Sequence, residues 1–174
     1  FIRLCANLQR VNQYIRYGHQ YIPHVQHTIQ ELRGYKYFLD IDARNGYHQI
    51  PLVKLTSKRL SVQTPWGQVR PLFMPEGVCC GTAVFQKTMM EIFDPLNDGS
   101  EQRWCFVLHD NFLIGADSHK DAYEKLEKLL ERARQYNVYL KMEKTHLVHA
   151  KQHFFSYDIE GGGYSMSAHR SGKL

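Results

Sequence analysis

The sequence has few cysteines and no long apolar run. Its four cysteines contain no C-x-x-C pair, and this spacing argues against a zinc ribbon. The adjacent Cys79 and Cys80 do not resemble a secreted disulfide framework, which favours a reducing compartment. The longest apolar runs fall far short of the roughly 20 residues that span a bilayer. We therefore expect no transmembrane helix and no membrane partner.

The sequence also lacks internal repeats, low-complexity tracts and a signal peptide, and it begins at Phe1. We therefore expect a single domain over residues 1–174, belonging to a longer intracellular polyprotein in the cytoplasm or nucleus. The hydrophobic fraction of 43% is sufficient for a packed core. The net charge of +5 favours a polyanionic partner, although many soluble domains are equally basic.

Strand and helix periodicities alternate along the chain. The longer predicted helix begins at a capping box formed by Ser118 and Asp121. Predicted helices cover residues 83–93 and 118–137, the second with Tyr123, Leu126, Leu130, Ala133 and Tyr136 on one face. A strand is predicted at 38–42 before a turn at 45–46, and two extended stretches are joined by a turn at 64–67. A hairpin is predicted at 104–114, with His109, Asp110 and Asn111 at its tip. A strand at 154–159 is predicted to form a second hairpin across 161–163. This order predicts an α+β fold with helices packed on an antiparallel sheet.

Two acidic residues occupy positions that suit metal binding. Asp42 ends an apolar strand, and Asp110 lies at the tip of an apolar hairpin. Mg²⁺ prefers oxygen ligands and keeps several waters, so two carboxylates with substrate phosphates are enough to hold it. From spacing alone, however, ordinary turn aspartates are the commoner interpretation.

The segment around Asp42 carries a longer motif. Residues 38–51 read FLDIDARNGYHQIP and resemble the LDLxxGYHQIP motif of reverse transcriptases from Ty3/gypsy-type elements with long terminal repeats. Shorter matches to that family follow in order and with little gapping from Ile2 to about Tyr164. They are Ile22-Pro23 (YPIP), residues 64–67 (TPFG), residues 74–77 (MPFG), Phe85-Gln86 (the end of NAPATFQ), Leu113-Ile114 (the end of YxDDILI), residues 139–144 (LxLxxxK) and residues 154–156 (FLG).

The resemblance implies a polymerase palm with partial fingers and the function of an RNA-directed DNA polymerase. It places Asp42, Asp110 and Asn111 at the catalytic centre, with Mg²⁺ or Mn²⁺ on the two aspartates. It implies nucleotide contacts by Arg3, Tyr47, Glu76, Gln86 and Lys144, with Tyr47 as a steric gate beneath the sugar, and a primer grip formed by Phe154, Phe155 and Ser156. The implied partners are an RNA template, a DNA primer, deoxynucleoside triphosphates, and the thumb and ribonuclease H domains of the polyprotein. We expect neither of those two domains within residues 1–174.

The sequence differs from the family motifs mainly at the positions that the resemblance assigns to catalysis and nucleotide binding. The family's Y-x-D-D reads Leu108-His109-Asp110-Asn111, so an amide replaces the second carboxylate. Glu76 replaces the aromatic residue of MPFG and adds a negative charge where a triphosphate would lie. Two interpretations therefore stay open. One is a reverse transcriptase with weak or altered activity, and the other is a catalytically inactive, domesticated nucleic-acid-binding or scaffold module.

Two further groups of residues have weaker interpretations. His146, His149 and His153 are spaced as metal ligands on one helix face would be, but surface histidines in a turn are the favoured interpretation. A basic set with one aromatic residue suits a nucleic-acid backbone, and scattered surface charges explain it equally well. That set is Lys54, Lys58, Arg59, Arg70 and Trp66.

Overall fold

A computed structural model describes residues 6–16, 22–154, 157–160 and 163–166. The helices within them are α1 (Gln9–Asn12), α2 (Val25–Glu31), α3 (Lys54–Arg59), α4 (Gly81–Phe93) and α5 (His119–Gln135), with two 3-10 turns at Gly46–Gln49 and Asp94–Asn97. The strands are β1 (Tyr37–Ala43), β2 (Val62–Thr64), β3 (Gly67–Val69), β4 (Cys105–Leu108), β5 (Asn111–Ala116), β6 (Leu140–His149), β7 (Lys151–Phe154), β8 (Tyr157–Glu160) and β9 (Gly163–Met166). None of the helices in these ranges is long and apolar enough to cross a membrane.

The main sheet has four antiparallel strands in the order β4-β5-β1-β6. Side chains alternate between the two faces of a strand, so Leu39 and Ile41 lie on an apolar side of β1, whereas Asp40 and Asp42 lie on the other, acidic side, which the buried Phe38 shares. Leu39 and Ile41 are fully buried, whereas Asp40 and Asp42 are half-buried. Phe112 lies opposite Ile41 and packs edge-to-face against Phe93 of α4, with ring centroids 4.7 Å apart. The apolar side of β1 therefore packs towards the helices, and the acidic side is left for the functional site.

The long helix α5 begins as predicted but packs through a different face. Ser118 caps it by accepting a hydrogen bond from the Asp121 N–H at 3.1 Å, which confirms the predicted start. The residues buried against the sheet are Ala122, Leu126, Leu129 and Ala133. The predicted face was wrong in part, because Tyr123, Leu130 and Tyr136 are exposed. Apolar residues flank the buried stripe on both sides, so helical spacing alone does not determine which face is buried.

The region after α5 differs most from prediction. Residues 154–159 do not form one strand, because Phe154 pairs with Tyr157 and the chain reverses between β7 and β8. The hairpin between β8 and β9 is confirmed. His146 and His149 lie in β6, beside β1, rather than on a helix or in a turn, and His153 lies in β7. The predicted turn rested on the family resemblance, and the spacing of three and four residues between the histidines carries no strand signal of its own.

The N-terminus of α5 gives a pH-dependent prediction. Burial alone would raise the pKa of the Asp121 carboxyl, but hydrogen bonds from Lys125 Nζ (2.8 Å) and the Asp117 N–H (2.9 Å) lower that pKa below its usual value. The unfolded chain therefore takes up a proton at higher pH than the folded chain. The resulting stabilisation is present above the unfolded pKa, near 4, and is lost as the pH falls through the folded pKa.

We expect Asp121→Asn to be less stable than the native protein at pH 7, and to lose less further stability between about pH 5 and pH 2. Urea unfolding across that pH range measures both effects. Replacement of the exposed Glu127 on the same helix by glutamine is the matched control. An unchanged pH dependence in Asp121→Asn would contradict this account of the helix terminus.

Candidate active site

Asp42 lies at the end of β1, where the chain turns sharply into the 3-10 segment. Asn45 adopts a left-handed conformation (φ 51°), which asparagine tolerates better than most residues, and Gly46 follows it. The Tyr47 hydroxyl hydrogen-bonds Thr82 Oγ1 of α4 at 2.8 Å, and its ring packs edge-on to Phe85 with centroids 5.9 Å apart. The 3-10 segment is thereby fixed to the start of α4, and Tyr47 is held against that helix.

Asp110 reaches the same edge through the β4–β5 hairpin. His109 and Asp110 form the turn between Leu108 and Asn111, and His109 adopts a left-handed φ of 54°. The Ala43 N–H donates to the Asp110 carbonyl at 2.6 Å, which ties the hairpin tip to the end of β1. Asp42 and Asp110 consequently line one open cavity of about 630 Å³. Arg44, Asn45, Lys141 and Glu143 also line it.

Gln86 holds the hairpin from beneath. Its side chain is fully buried, its Nε2 donates to the Val107 carbonyl at 2.7 Å, and its Oε1 accepts from the His109 N–H at 2.7 Å. Both ends of the amide are therefore engaged with the backbone on either side of Leu108. This geometry gives Gln86 a role in placing the hairpin, and a direct contact with nucleotide stays a prediction.

The Asn111 side chain contacts two aspartates of β1. It lies opposite Asp42 in the sheet, and its Nδ2 is 2.6 Å from Asp42 Oδ1 and 3.2 Å from Asp40 Oδ1. The predicted catalytic set of Asp42, Asp110 and Asn111 is thus brought together. Asp40 was not predicted as a site residue, because the motif assigns the first catalytic aspartate to Asp42, although its position two residues before Asp42 places it on the same side of β1.

Gln49 is a second residue that the sequence motifs did not single out. Its Oε1 accepts from the Tyr139 N–H at 2.7 Å, and its Nε2 donates to the Tyr139 carbonyl at 2.9 Å. The side chain therefore fixes the start of β6 to the 3-10 segment and holds that wall of the cavity in place. Its one sequence signal was its place in the GYHQIP motif, which indicated function without indicating this contact.

The remaining predicted residues lie elsewhere or outside the described ranges. Glu76 is half-buried before Gly77, and Asn12 supports the loop that follows by donating to the Gly77 carbonyl at 2.8 Å and accepting from the Cys79 N–H at 3.0 Å. Lys144 lies in β6 and Phe154 lies in β7, but the structure does not describe their side chains. Arg3, Phe155 and Ser156 lie outside the described residues altogether. The basic set and Trp66 are all exposed around α3, β2 and β3.

The Asp42 and Asp110 carboxylates suit a cation that is also coordinated by substrate phosphates. No group of three or more His, Cys, Asp or Glu side chains able to hold a metal occurs within the described ranges. Asp42 and Asp110 nevertheless face one open, polar cavity, and Mg²⁺ is commonly held by one or two carboxylates, waters and substrate phosphates. Two carboxylates beside an open cavity fit that chemistry, and Asp42 and Asp110 are the residues that would hold the ion.

Comparison with known proteins places the chain in one family. The family model for reverse transcriptase (RNA-dependent DNA polymerase) matches residues 3–159. The enzymatic polyprotein of figwort mosaic virus is 23% identical over 167 residues, covering 96% of this chain and 24% of the viral protein. The Pol polyprotein of the Drosophila melanogaster transposon opus is 22% identical over 161 residues, covering 92% of this chain and 16% of that protein.

Solved structures show the same fold. The foamy virus protease–reverse transcriptase in complex with an RNA/DNA hybrid superimposes with a TM-score of 0.80 at 17% identity, over 96% of this chain and 22% of that one. A second foamy virus structure, with double-stranded DNA, gives 0.84 at 19% identity, over 98% of this chain and 29% of that one. The predicted α+β, reverse transcriptase-like fold is thereby confirmed, and this chain spans less than a third of each of these proteins. The chain belongs to the reverse transcriptase (RNA-dependent DNA polymerase) family.

Proposed function

We propose that this chain forms the palm and part of the fingers of an RNA-directed DNA polymerase from a Ty3/gypsy-type retroelement, acting inside the cell. The observation that carries the proposal is the placement of Asp42 and Asp110 together on one open cavity. The proposed substrates are deoxynucleoside triphosphates on a DNA primer and an RNA template. Foamy virus relatives bound to an RNA/DNA hybrid and to double-stranded DNA support that choice, as does the net charge of +5.

In this proposal the chain's residues position the reacting groups. Asp42 and Asp110 hold Mg²⁺ or Mn²⁺, which when bound stabilises the charge that develops on the transferred phosphate. Tyr47, fixed by Thr82 and Phe85, presents its ring beside the sugar and excludes a ribose 2′-hydroxyl by its bulk. Gln86 and Gln49 fix the hairpin and the start of β6, so the carboxylates keep their separation. The thumb and ribonuclease H domains of the polyprotein are proposed partners.

A second function is favoured by one observation. The Asn111 amide engages Asp42 Oδ1 at 2.6 Å, where the resembled motif has a carboxylate. A cation would have to compete with that hydrogen bond for the oxygen, and Asn111 offers one neutral acceptor in place of a charged group. The alternative is therefore a catalytically inactive module that keeps the polymerase fold and binds nucleic acid or protein.

Primer extension on an RNA template separates the two functions. The polyprotein product that contains this chain is compared with its Asp42→Asn and Asp110→Asn variants, in Mg²⁺ and in Mn²⁺. We expect extension by the native protein and a loss of about two to three orders of magnitude in each variant, because the carboxylates stabilise several kcal/mol of transition-state charge through the ion. Replacement of the exposed Lys87 by alanine should leave the rate unchanged.

Each outcome of that assay favours one function. Extension that survives Asp110→Asn would contradict the assigned site. If the native protein binds a labelled hybrid but extends no primer in either metal, the inactive nucleic-acid-binding module is favoured. If it neither binds nor extends, the scaffold form of that module is favoured.

A further inference from the structure

The Asn111 side chain bridges two carboxylates with one nitrogen. Its Nδ2 donates to Asp42 Oδ1 at 2.6 Å and lies 3.2 Å from Asp40 Oδ1, so both of its hydrogens are directed at acidic groups. The orientation of this amide is required by chemistry, because an ionised carboxylate only accepts and the amide oxygen would be repelled. Asp40 and Asp42 are thereby held side by side on one face of β1.

In this chain, a carboxylate at position 111 would lie beside other carboxylates. It would lie directly across from Asp42 in the sheet and diagonally across from Asp40. Like charges opposite each other on neighbouring strands are destabilising, and the effect is greater where the groups are half-buried. With Asp110 at the tip and Glu143 in the cavity wall, five carboxylates would lie at this edge. The other charged or titratable residues at this edge are Arg44, Lys141 and Glu143, which line the cavity, and His146, which pairs with Asp40 through its backbone.

We propose that Asn111 is a positioning residue whose amide clamps Asp40 and Asp42 together, and that Asp40 is what makes an amide necessary at position 111. The two positions form a matched pair: the chain has a carboxylate at 40 and an amide at 111. This proposal concerns the site of the proposed function. Its test measures folding and ion binding rather than polymerisation, so it stands or fails separately from polymerase activity.

A double-mutant cycle tests the pairing. The native chain, Asn111→Asp, Asp40→Asn and the Asp40→Asn/Asn111→Asp double variant are unfolded in urea without divalent cations at low ionic strength. We expect Asn111→Asp to have a clearly lower midpoint than native, Asp40→Asn to lie near native, and the double variant to recover most of the loss. Asn7→Asp is the control for the same chemical change, since Asn7 is exposed and its side-chain oxygen accepts from the Gln9 N–H.

Two further readouts separate electrostatic positioning from simple packing. The deficit of Asn111→Asp should shrink in about 1 M NaCl, where the Debye length is about 3 Å. Mn²⁺ should raise the midpoint of Asn111→Asp more than that of the native chain, because the added carboxylate is then paired with a cation. If Asn111→Asp does not fold without cations, we expect Mn²⁺ or the added Asp40→Asn substitution to restore its folding. Failure of both to restore folding would contradict the proposal. A midpoint equal to native, no rescue by Asp40→Asn, or insensitivity to salt would each overturn the proposal.

Discussion

Replacing Gln86 with leucine is expected to destabilise the protein by about 3 kcal/mol or more. The substitution keeps the volume but leaves the Val107 carbonyl and the His109 N–H without the partners they have in the native hairpin. Water cannot replace those partners in place, since none of the surface of Gln86 is accessible. Each unsatisfied buried group costs roughly 1–3 kcal/mol, and the substitution leaves two such groups without a partner.

Urea unfolding of Gln86→Leu measures this cost, and Gln135→Leu at the exposed end of α5 is the matched control. The control is expected within about 0.5 kcal/mol of native, as for most surface substitutions. A Gln86→Leu variant as stable as the control would show that the hairpin carrying Asp110 does not depend on this side chain. The account of how Asp110 is placed would then be wrong.

Replacing Gly115 with alanine is the second large effect that we expect, at about 2–3 kcal/mol. A Cβ at Gly115 would overlap the ring of Tyr35, with ring atoms Cγ and Cε2 lying 2.7 and 2.8 Å from it. Tyr35 has little freedom to move. Its ring is buried, Lys125 lies over it with Nζ 4.7 Å from the centroid, and its hydroxyl donates to the Gln102 carbonyl at 3.3 Å. Overpacking of this kind forces side chains and backbone to shift.

The comparison with Gly99→Ala isolates the steric cause. Gly99 has a φ of 77°, and a methyl group added there would meet nothing within 4 Å, so the cost comes from the backbone alone, at about 1 kcal/mol. We also expect Tyr35→Ala and Gly115→Ala to be strongly non-additive in the double variant, because removing the ring removes the overlap. Additive losses, or a smaller loss at Gly115 than at Gly99, would contradict the close approach.

Local signals in the sequence predicted the elements that build the site. The apolar run before Asp42, the polar tip of the β4–β5 hairpin and the Ser118 cap each rest on neighbouring residues, and the structure has all three. The helical spacing that predicted residues 83–93 is equally local, and α4 follows it. Period and capping are properties of a short window, which explains why they could be predicted without knowledge of the fold.

The contacts that fix the site could not be predicted in this way. Asn111 and Asp40 are 71 residues apart and Gln49 and Tyr139 are 90 residues apart, so only the sheet order brings them together. Asn111 was interpreted as a lost carboxylate, whereas the structure shows an amide with two acidic partners. The split between β7 and β8 was missed because the sequence between Phe154 and Tyr157 contains neither glycine nor proline.

Mn²⁺ titration of the chain followed by NMR tests the central claim most directly, because paramagnetic broadening reports where the ion binds without requiring polymerisation. The account predicts the strongest broadening at the backbone amide signals of Ala43, Asn45 and Lys141, which line the same cavity as Asp42 and Asp110. It also predicts that broadening disappears in the Asp42→Asn/Asp110→Asn variant while the other signals keep their positions. Broadening centred on another part of the fold, or unchanged in that variant, would contradict the assignment of Asp42 and Asp110 as the ion-binding pair.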